Sequence, residues 1–303
     1  MIKTARQLKD KIRNMTNGLN AVQKSEKAQM LIRNYFMECL LERISVSKYR
    51  NNFILKGGML VASYAGLESR ATNDIDTTIR AFDLKAEDAR KVLEDIFNID
   101  LGDGIHYEIS SCSDIMEDFD YPGLRFMVNV QFDRIINTIK IDMSTDDVIT
   151  PEAVDYEYKL MLEDRSIPIR TYNLETLLAE KLETIVSRGA ANTRIRDFYD
   201  IHMLTKLKWS AIDFDVLKAA FEATSRKRGT FEKSSEIYEI INYFSTSDVA
   251  LSAWENFKRD NYFVNDLEWT VVISSVEAFS KVVIPIDEEL SETEDEEQSP
   301  IML

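Results

Sequence analysis

Between Phe53 and Asp76 the sequence changes its period twice, and each change falls at residues suited to it. Phe53-Ile54-Leu55 is a short apolar run that reads as a buried strand. Lys56-Gly57-Gly58 ends it, because paired glycines admit a tight turn that residues with a Cβ resist. Met59 to Tyr64 resumes as a small-residue helix, and a further strand is predicted over residues 74–82. Strand, glycine turn, helix and strand in that order point to a mixed β/α core.

Around this unit the pattern is mostly helical. Residues 1–48 read as helices, with Leu31, Ile32, Tyr35, Phe36, Cys39 and Leu40 recurring at three- and four-residue spacing. Residues 84–96 read as another helix. Three extended segments follow at 106–110, 124–132 and 137–143, the last two joined through 133–136 as a hairpin. Residues 164–172 read either as a last strand or as a connector. From Leu174 to about Phe244 the pattern is helical, and 254–257 and 269–282 add more helix. The expected organisation is N-terminal helices over 1–48, a β/α core over 49–170, a helical domain over 171–285 and an acidic, disordered tail over 286–303.

Composition narrows the function classes. The chain has 303 residues, 45% of them hydrophobic, which is enough for a substantial core. Cys39 and Cys112 are too few for a disulfide framework or a zinc pattern and read as two free thiols. Residues 1–20 are polar, and no run of about 18 apolar residues occurs anywhere. The expectation is a soluble, cytoplasmic protein without membrane contact. The net charge of −16 argues against nucleic acid, but it is unevenly placed. Residues 287–303 carry eight carboxylates and no Lys or Arg, and without them the charge is −8. Arg188, Arg194 and Arg196, then Arg226-Lys227-Arg228, are basic clusters, so a local basic patch is compatible with the total.

Asp74 and Asp76 are spaced i, i+2, which on a strand puts both side chains on one face. Two carboxylates about 7 Å apart along a strand can share divalent cations. Mg²⁺ favours a few carboxylates plus phosphate oxygens over a closed protein cage. A D-x-D pair alone is usually a solvated pair, and a GG pair alone marks any turn. Here they form one connected unit, in which glycine amides at a helix start can approach phosphate oxygens. Asp142 is the candidate third carboxylate. Thr138-Ile139-Lys140-Ile141-Asp142 alternates strictly, so Ile139 and Ile141 face a core while Lys140 and Asp142 face the other way.

These residues resemble a known family. Phe53 to Gly58, Tyr64-Ala65-Gly66-Leu67 and Arg70-Ala71-Thr72-Asn73-Asp74-Ile75-Asp76 are similar to the AbiEii/AbiGii toxins, nucleotidyltransferases of type IV toxin–antitoxin and abortive phage infection systems. Leu178-Ala179-Glu180-Lys181-Leu182-Glu183 and Arg196-Asp197-Phe198-Tyr199-Asp200-Ile201 follow in the order that family shows. The resemblance covers roughly residues 30–205. It implies an α+β fold with a nucleotidyltransferase-like mixed sheet, flanking helices and a helical C-terminal domain. It also implies a nucleoside triphosphate donor, Mg²⁺ or Mn²⁺, an RNA acceptor (in some members the tRNA 3′ end), antiviral growth arrest and a cognate antitoxin encoded nearby. Asp74, Asp76 and Asp142 would hold metal and, with Lys181 and Asp197, do catalysis. Lys56, Gly57, Gly58, Arg70, Lys181, Arg188 and Arg194 would bind the nucleotide. The commoner family pattern has Thr or Ser after the second glycine, whereas this chain has Met59. A side-chain hydroxyl contact to phosphate is therefore missing, and backbone contacts remain.

The residues of the helical half can be weighed on their own. On a helix from Leu174, Lys181 and Arg188 fall on the apolar arc of Leu174, Leu177, Leu178, Leu182 and Ile185. An inward lysine needs a partner or an exit to water. Asp197 shares its arc with Ile201 and Leu204, and Asp200 sits at the edge of that face. Lys181 and Asp197 therefore either form a buried ion pair or line a cleft, where Asp197 orients Lys181 or Arg194. The Arg226-Lys227-Arg228 loop reads as solvated, and His106 and His202 as structural. Two further functions stay open at this level: a nucleotidyltransferase that modifies protein, and a non-catalytic nucleotide- or partner-binding module.

Overall fold

The computed structural model describes residues 2–66, 70–81, 85–115, 123–192, 194–264 and 266–285. The fold is α+β. Two helices, α1 (Ala5–Met15) and α2 (Ala21–Val46), precede the sheet. Each starts on a side-chain cap: Thr4 accepts from the Gln7 amide, and Asn20 from the Gln23 amide. The predicted β/α unit follows as β1 (Phe53–Lys56), α3 (Gly57–Ala65) and β2 (Asp74–Ile79). Then come α4 (Ala86–Phe97), β3 (Ile105–Ile115), β4 (Gly123–Phe132), β5 (Ile135–Ser144), β6 (Val154–Lys159) and β7 (Ser166–Thr171). The seven strands make one mixed sheet in the order β3-β4-β5-β2-β1-β7-β6.

Two pairings set the site. Strands β1 and β2 are antiparallel and bring Lys56 opposite Asp76. Strands β2 and β5 are parallel and place Asp74 beside Lys140 and Asp76 beside Asp142. The alternation of β5 holds in three dimensions: Ile139, Ile141 and Met143 are buried, while Lys140, Asp142 and Ser144 lie half-buried on the opposite face. Helix α2 packs on β5 and β7, and α4 on β3.

From Leu174 the chain is helical: α5 (Leu174–Arg188), α6 (Ile195–Lys208), α7 (Phe214–Lys227), α8 (Ile237–Thr246), α9 (Asp248–Asp260) and α10 (Trp269–Val283). Helix α5 packs on α6 and α7, and α6 packs on α3, α9 and α10. Asn173 caps α5 by accepting from the Thr176 amide, and its own amide donates to the carbonyls of Thr150 and Glu152. The start of α5 is thereby tied to the loop after β5. Apolar packing is continuous from the sheet into these helices. No helix among the described residues is long and apolar enough to cross a membrane.

The structure extends the sequence expectations at several points. Residues 164–172 contain a strand, β7, which pairs in parallel with β1. Its partner β6 was not foreseen, although Val154-Asp155-Tyr156-Glu157-Tyr158-Lys159 alternates. The hairpin turn is shorter than expected, because β5 begins at Ile135 and only Asp133 and Arg134 remain between the strands. Phe82, Leu84, the Leu67 of the quoted motif and the acidic segment 286–303 lie outside the described residues.

Candidate active site

Gly57 is the hinge of the site. It opens α3 with φ +63°, a left-handed backbone that residues with a Cβ rarely adopt. A Cβ there would lie 2.0 Å from Asp76 Oδ2, so only glycine lets the chain turn directly over that carboxylate. The Gly58 amide donates to the same oxygen at 3.2 Å. A Cβ on Gly58 would stand 2.5 Å from Thr72 Oγ1. That hydroxyl in turn donates to Asp74 Oδ1 at 2.8 Å. Met59, at the position where the commoner family pattern has a hydroxyl residue, is fully buried in the core.

The three predicted carboxylates converge. Asp74, Asp76 and Asp142 each offer an oxygen, all within 4.8 Å of one another. Two of them are partly balanced from within the sheet. Lys140 Nζ lies 2.7 Å from Asp74 Oδ2 and 3.6 Å from Asp142 Oδ2. Arg125, opposite Asp142 on β4, donates to both Asp142 oxygens at 2.8 Å. Burial works against the Asp74 charge, but Lys140, Thr72 and Arg196 hold its carboxyl below the usual range. Asp76 has no ion pair among the described residues. Burial and the neighbouring charges of Asp74 and Asp142 push its carboxyl up to about 6. Three oxygen ligands at this spacing, with no His or Cys, fit a hard divalent cation of the Mg²⁺ or Mn²⁺ kind.

Opposite the carboxylates, α5 and α6 present a buried charge cluster. Lys181 Nζ lies 2.8 Å from both Asp197 Oδ1 and Asp200 Oδ2. Arg194 approaches Asp197 Oδ2 at 3.2 Å without hydrogen-bond geometry. Arg70 reaches across from the segment before β2, and its Nε bonds Asp200 Oδ1 at 2.6 Å. Burial alone would raise the Asp200 carboxyl, yet Arg70 and Lys181 hold it well below the usual range. Both readings of Lys181 and Asp197 are thus met at once: they are ion-paired, and both line a cavity with Gly57, Gly58 and Asp76. Asp200, read from sequence as an edge residue, is fully buried at the centre of the cluster.

A second cluster was missed by sequence reasoning. Lys56 Nζ binds Asp147 Oδ2 at 2.7 Å and lies 3.8 Å from Glu180 Oε1. Asp147 also accepts from Ser144 at 2.6 Å and from Thr78. Arg228 bonds Glu180 at 3.0 Å and also Glu183. The expected basic loop is instead the last turn of α7, which holds Arg226 and Lys227; Arg226 is exposed as expected, whereas Arg228, whose side chain is 19% exposed, lines the cleft. Nothing local marks Asp147 or Arg228, because their charged partners come from β1 and α5. The side chains of Arg188 and Arg196 also line the cleft, and neither takes a hydrogen bond or ion pair among the described residues. His106 and His202 lie away from it; His202 Nδ1 is 2.7 Å from Ser275 Oγ.

The sequence matches the family model described as nucleotidyl transferase AbiEii toxin, type IV toxin–antitoxin system, over residues 39–282. The comparison with curated protein sequences gives no match. Among solved structures, the chain is similar to MenT4, a nucleotidyltransferase toxin of Mycobacterium tuberculosis. The identity is 15% and the TM-score 0.55, over 90% of this chain and 97% of that one. It is also similar to a protein of Helicobacter pylori assigned as a nucleotidyltransferase, at 15% identity and TM-score 0.50, over 84% and 94% of the two chains. At such identities the structures speak to fold alone.

Proposed function

Since the chain belongs to the AbiEii family of nucleotidyltransferase toxins of type IV toxin–antitoxin systems, we propose that it transfers a nucleotide from a nucleoside triphosphate to an RNA acceptor, with release of pyrophosphate. The observation that carries this reading is the convergence of Asp74, Asp76 and Asp142 beneath the Gly57-Gly58 turn, facing a cleft lined with cations. The cleft lies between the sheet of residues 49–170 and the helices of 171–285, the division into catalytic core and helical domain on which the proposal rests. The acceptor class, which in some relatives is the tRNA 3′ end, and the resulting growth arrest belong to the same proposal, as does a cognate antitoxin encoded nearby.

In the proposed reaction the oxygen of an acceptor hydroxyl attacks the α-phosphorus in line. A new P–O bond forms, the bond to the bridging α–β oxygen breaks, and pyrophosphate leaves. Asp142 receives the hydroxyl proton on a carboxylate oxygen. Asp74, Asp76 and Asp142 would hold a divalent cation, Mg²⁺ or Mn²⁺, which supplies Lewis-acid stabilisation of the phosphoryl oxygens when bound. Gly57 and the start of α3 face the phosphates, while the Gly58 amide turns to Asp76 Oδ2 and holds that carboxylate in place. Lys181 spends two of its three protons on Asp197 and Asp200, which leaves one for a phosphate oxygen. Asp197 and Asp200 thereby position it. Arg70, only 2% exposed and committed to Asp200, joins the nucleotide-binding wall by fixing that carboxylate. Lys56, Arg188 and Arg194 complete the cationic lining.

The test is incubation of the purified protein with each labelled nucleoside triphosphate and Mg²⁺, together with total RNA or total protein. Label at RNA 3′ ends supports the proposal. Label on protein alone removes the RNA acceptor, and label on neither with any nucleotide removes the transferase reading.

A further inference from the structure

Strand register lays out a grid of charges on one face of the sheet. One cross-strand row runs Arg125 on β4, Asp142 on β5, Asp76 on β2 and Lys56 on β1. The next row, two residues along, sets Lys140 on β5 beside Asp74 on β2. Residues opposite one another in register share a face, so these side chains stand on the same side of the sheet. Asp76 and Asp142 are like charges placed directly opposite, which destabilises a sheet by itself.

The cations of this grid are held in different ways. Arg125 grips Asp142 at two points, donating to both of its oxygens at 2.8 Å. Lys56 is turned to Asp147 at 2.7 Å. Lys140 is held at one point. Its Nζ lies 2.7 Å from Asp74 Oδ2 and only 3.6 Å from Asp142 Oδ2. Its side chain is 26% exposed on a flexible four-carbon stem, so the ammonium has a way out to water.

Resting on the reading of Asp74, Asp76 and Asp142 as a divalent-cation site, we propose that Lys140 is a tethered competitor for that cation. Its ammonium takes carboxylate oxygens that the divalent ion needs, and the ion binds by displacing it. Lys140 thereby sets the metal affinity of the site. It is a positioning residue, because it acts through Asp74 and Asp142.

Two observations carry this. The first is the grip on each oxygen. Asp74 Oδ1 is held by Thr72, a buried hydroxyl, and both Asp142 oxygens by Arg125. The single contact of Lys140 on Asp74 Oδ2 is the one a competing ion can break while both groups stay solvated or paired. The second is charge. With Lys140 and Arg125 in place, the three carboxylates keep one uncompensated negative charge. With Lys140 swung out they keep two, which matches a divalent ion, and affinity for hard cations follows the charge of the ligand set.

The test is a Mn²⁺ titration of chelator-treated protein, followed by the electron paramagnetic resonance of the free ion, beside thermal unfolding with and without Mn²⁺. Wild type is compared with Lys140→Gln, Lys140→Arg and Lys140→Gln/Asp76→Asn. Lys140→Gln is expected to bind Mn²⁺ about tenfold or more tightly than wild type. Its Tm should be lower without the ion, and the ion should raise it further than it raises that of wild type. Lost structure would weaken binding instead. Lys140→Arg keeps the charge and can grip a carboxylate at two points, so it should bind Mn²⁺ no more tightly than wild type. Adding Asp76→Asn should abolish the gain of Lys140→Gln. The competitor role is overturned if Lys140→Gln binds Mn²⁺ equally or more weakly, if Lys140→Arg binds it more tightly, or if the gain survives Asp76→Asn. Mn²⁺ binding by neither wild type nor Lys140→Gln removes the metal site itself, and the competitor with it. Normal Mn²⁺ binding without nucleotide transfer overturns the proposed function and leaves the role of Lys140 standing.

Discussion

At the scale of single residues, the site depends on atoms that are absent. Gly57 has neither a Cβ nor a conformational penalty for φ +63°, and Asp76 fills the space a side chain would need. Gly57→Ala should lose about 1–2 kcal/mol of stability from the left-handed backbone. It should also displace Asp76 and lower transfer by about a hundredfold, since misplacement of a catalytic group by about 1 Å has that effect. Thermal unfolding beside a transfer assay separates the two. Glu38, far from the cleft, makes a different prediction. It is buried on α2, with Asn34 and the Met161 amide donating to it, and burial pushes its carboxyl up to about 8. In an unfolded chain it titrates near 4.5. Between these values the folded state binds the extra proton, so stability is full below about 4.5 and is lost as pH rises through about 8. The unfolding free energy from denaturant titrations should therefore fall by about a few kcal/mol across that window in the wild type, and Glu38→Gln should flatten the curve. Equal slopes would contradict it. The glycine pair and D-x-D were legible because turns and period-two strands leave local marks. The partners of Glu38 were not, because Met161 lies more than a hundred residues away in a loop that has no pattern of its own.

At the scale of elements, strand register and helix face do the assembling. Asp142 was legible from the alternation of β5, since a strand that buries Ile139 and Ile141 must turn Asp142 to the other face. That β5 pairs with β2, and so brings Asp142 beside Asp76, was not legible, because β3 and β4 intervene in sequence but not in space. Helix α5 shows the same division. Its apolar arc located Lys181 on the buried face, but the arc does not say what lies opposite. The answer, Asp197 and Asp200 one turn apart on α6, makes Lys181 a structural residue, and under the proposed function it is a phosphate contact as well. Lys181→Met leaves the two carboxylates with one cation fewer and should cost about 3–5 kcal/mol. Adding Asp197→Asn should restore part of that stability, since Arg70 still holds Asp200, without restoring transfer. If the double variant regains activity, Lys181 acts only through folding. The edge strand β6 was missed despite its alternation, because its exposed face carries Asp155, Glu157 and Lys159, which read equally well as a polar loop.

At the scale of the whole molecule, the fold brings a metal-compatible face of the sheet against a cleft wall that includes Lys181, Arg194 and Arg196, inside a chain of net charge −16. Under the proposed function, an acidic protein must concentrate its positive charge to hold RNA, and the cleft arginines supply such a patch. Half of the net negative charge belongs to residues 287–303. Their removal should therefore strengthen RNA binding at low salt, and the gain should vanish at high salt. Unchanged affinity at both would show that the segment exerts no field on the cleft. The central claim is that Asp74 and Asp76 make this protein a metal-dependent nucleotidyltransferase. Its most direct test is the Asp74→Asn/Asp76→Asn protein, shown to be folded by circular dichroism and assayed beside wild type with labelled nucleoside triphosphate, RNA and Mg²⁺. The account predicts label on RNA with wild type, none after chelation of the metal, and a loss of at least about a thousandfold in the double variant. Full transfer by the double variant would contradict it.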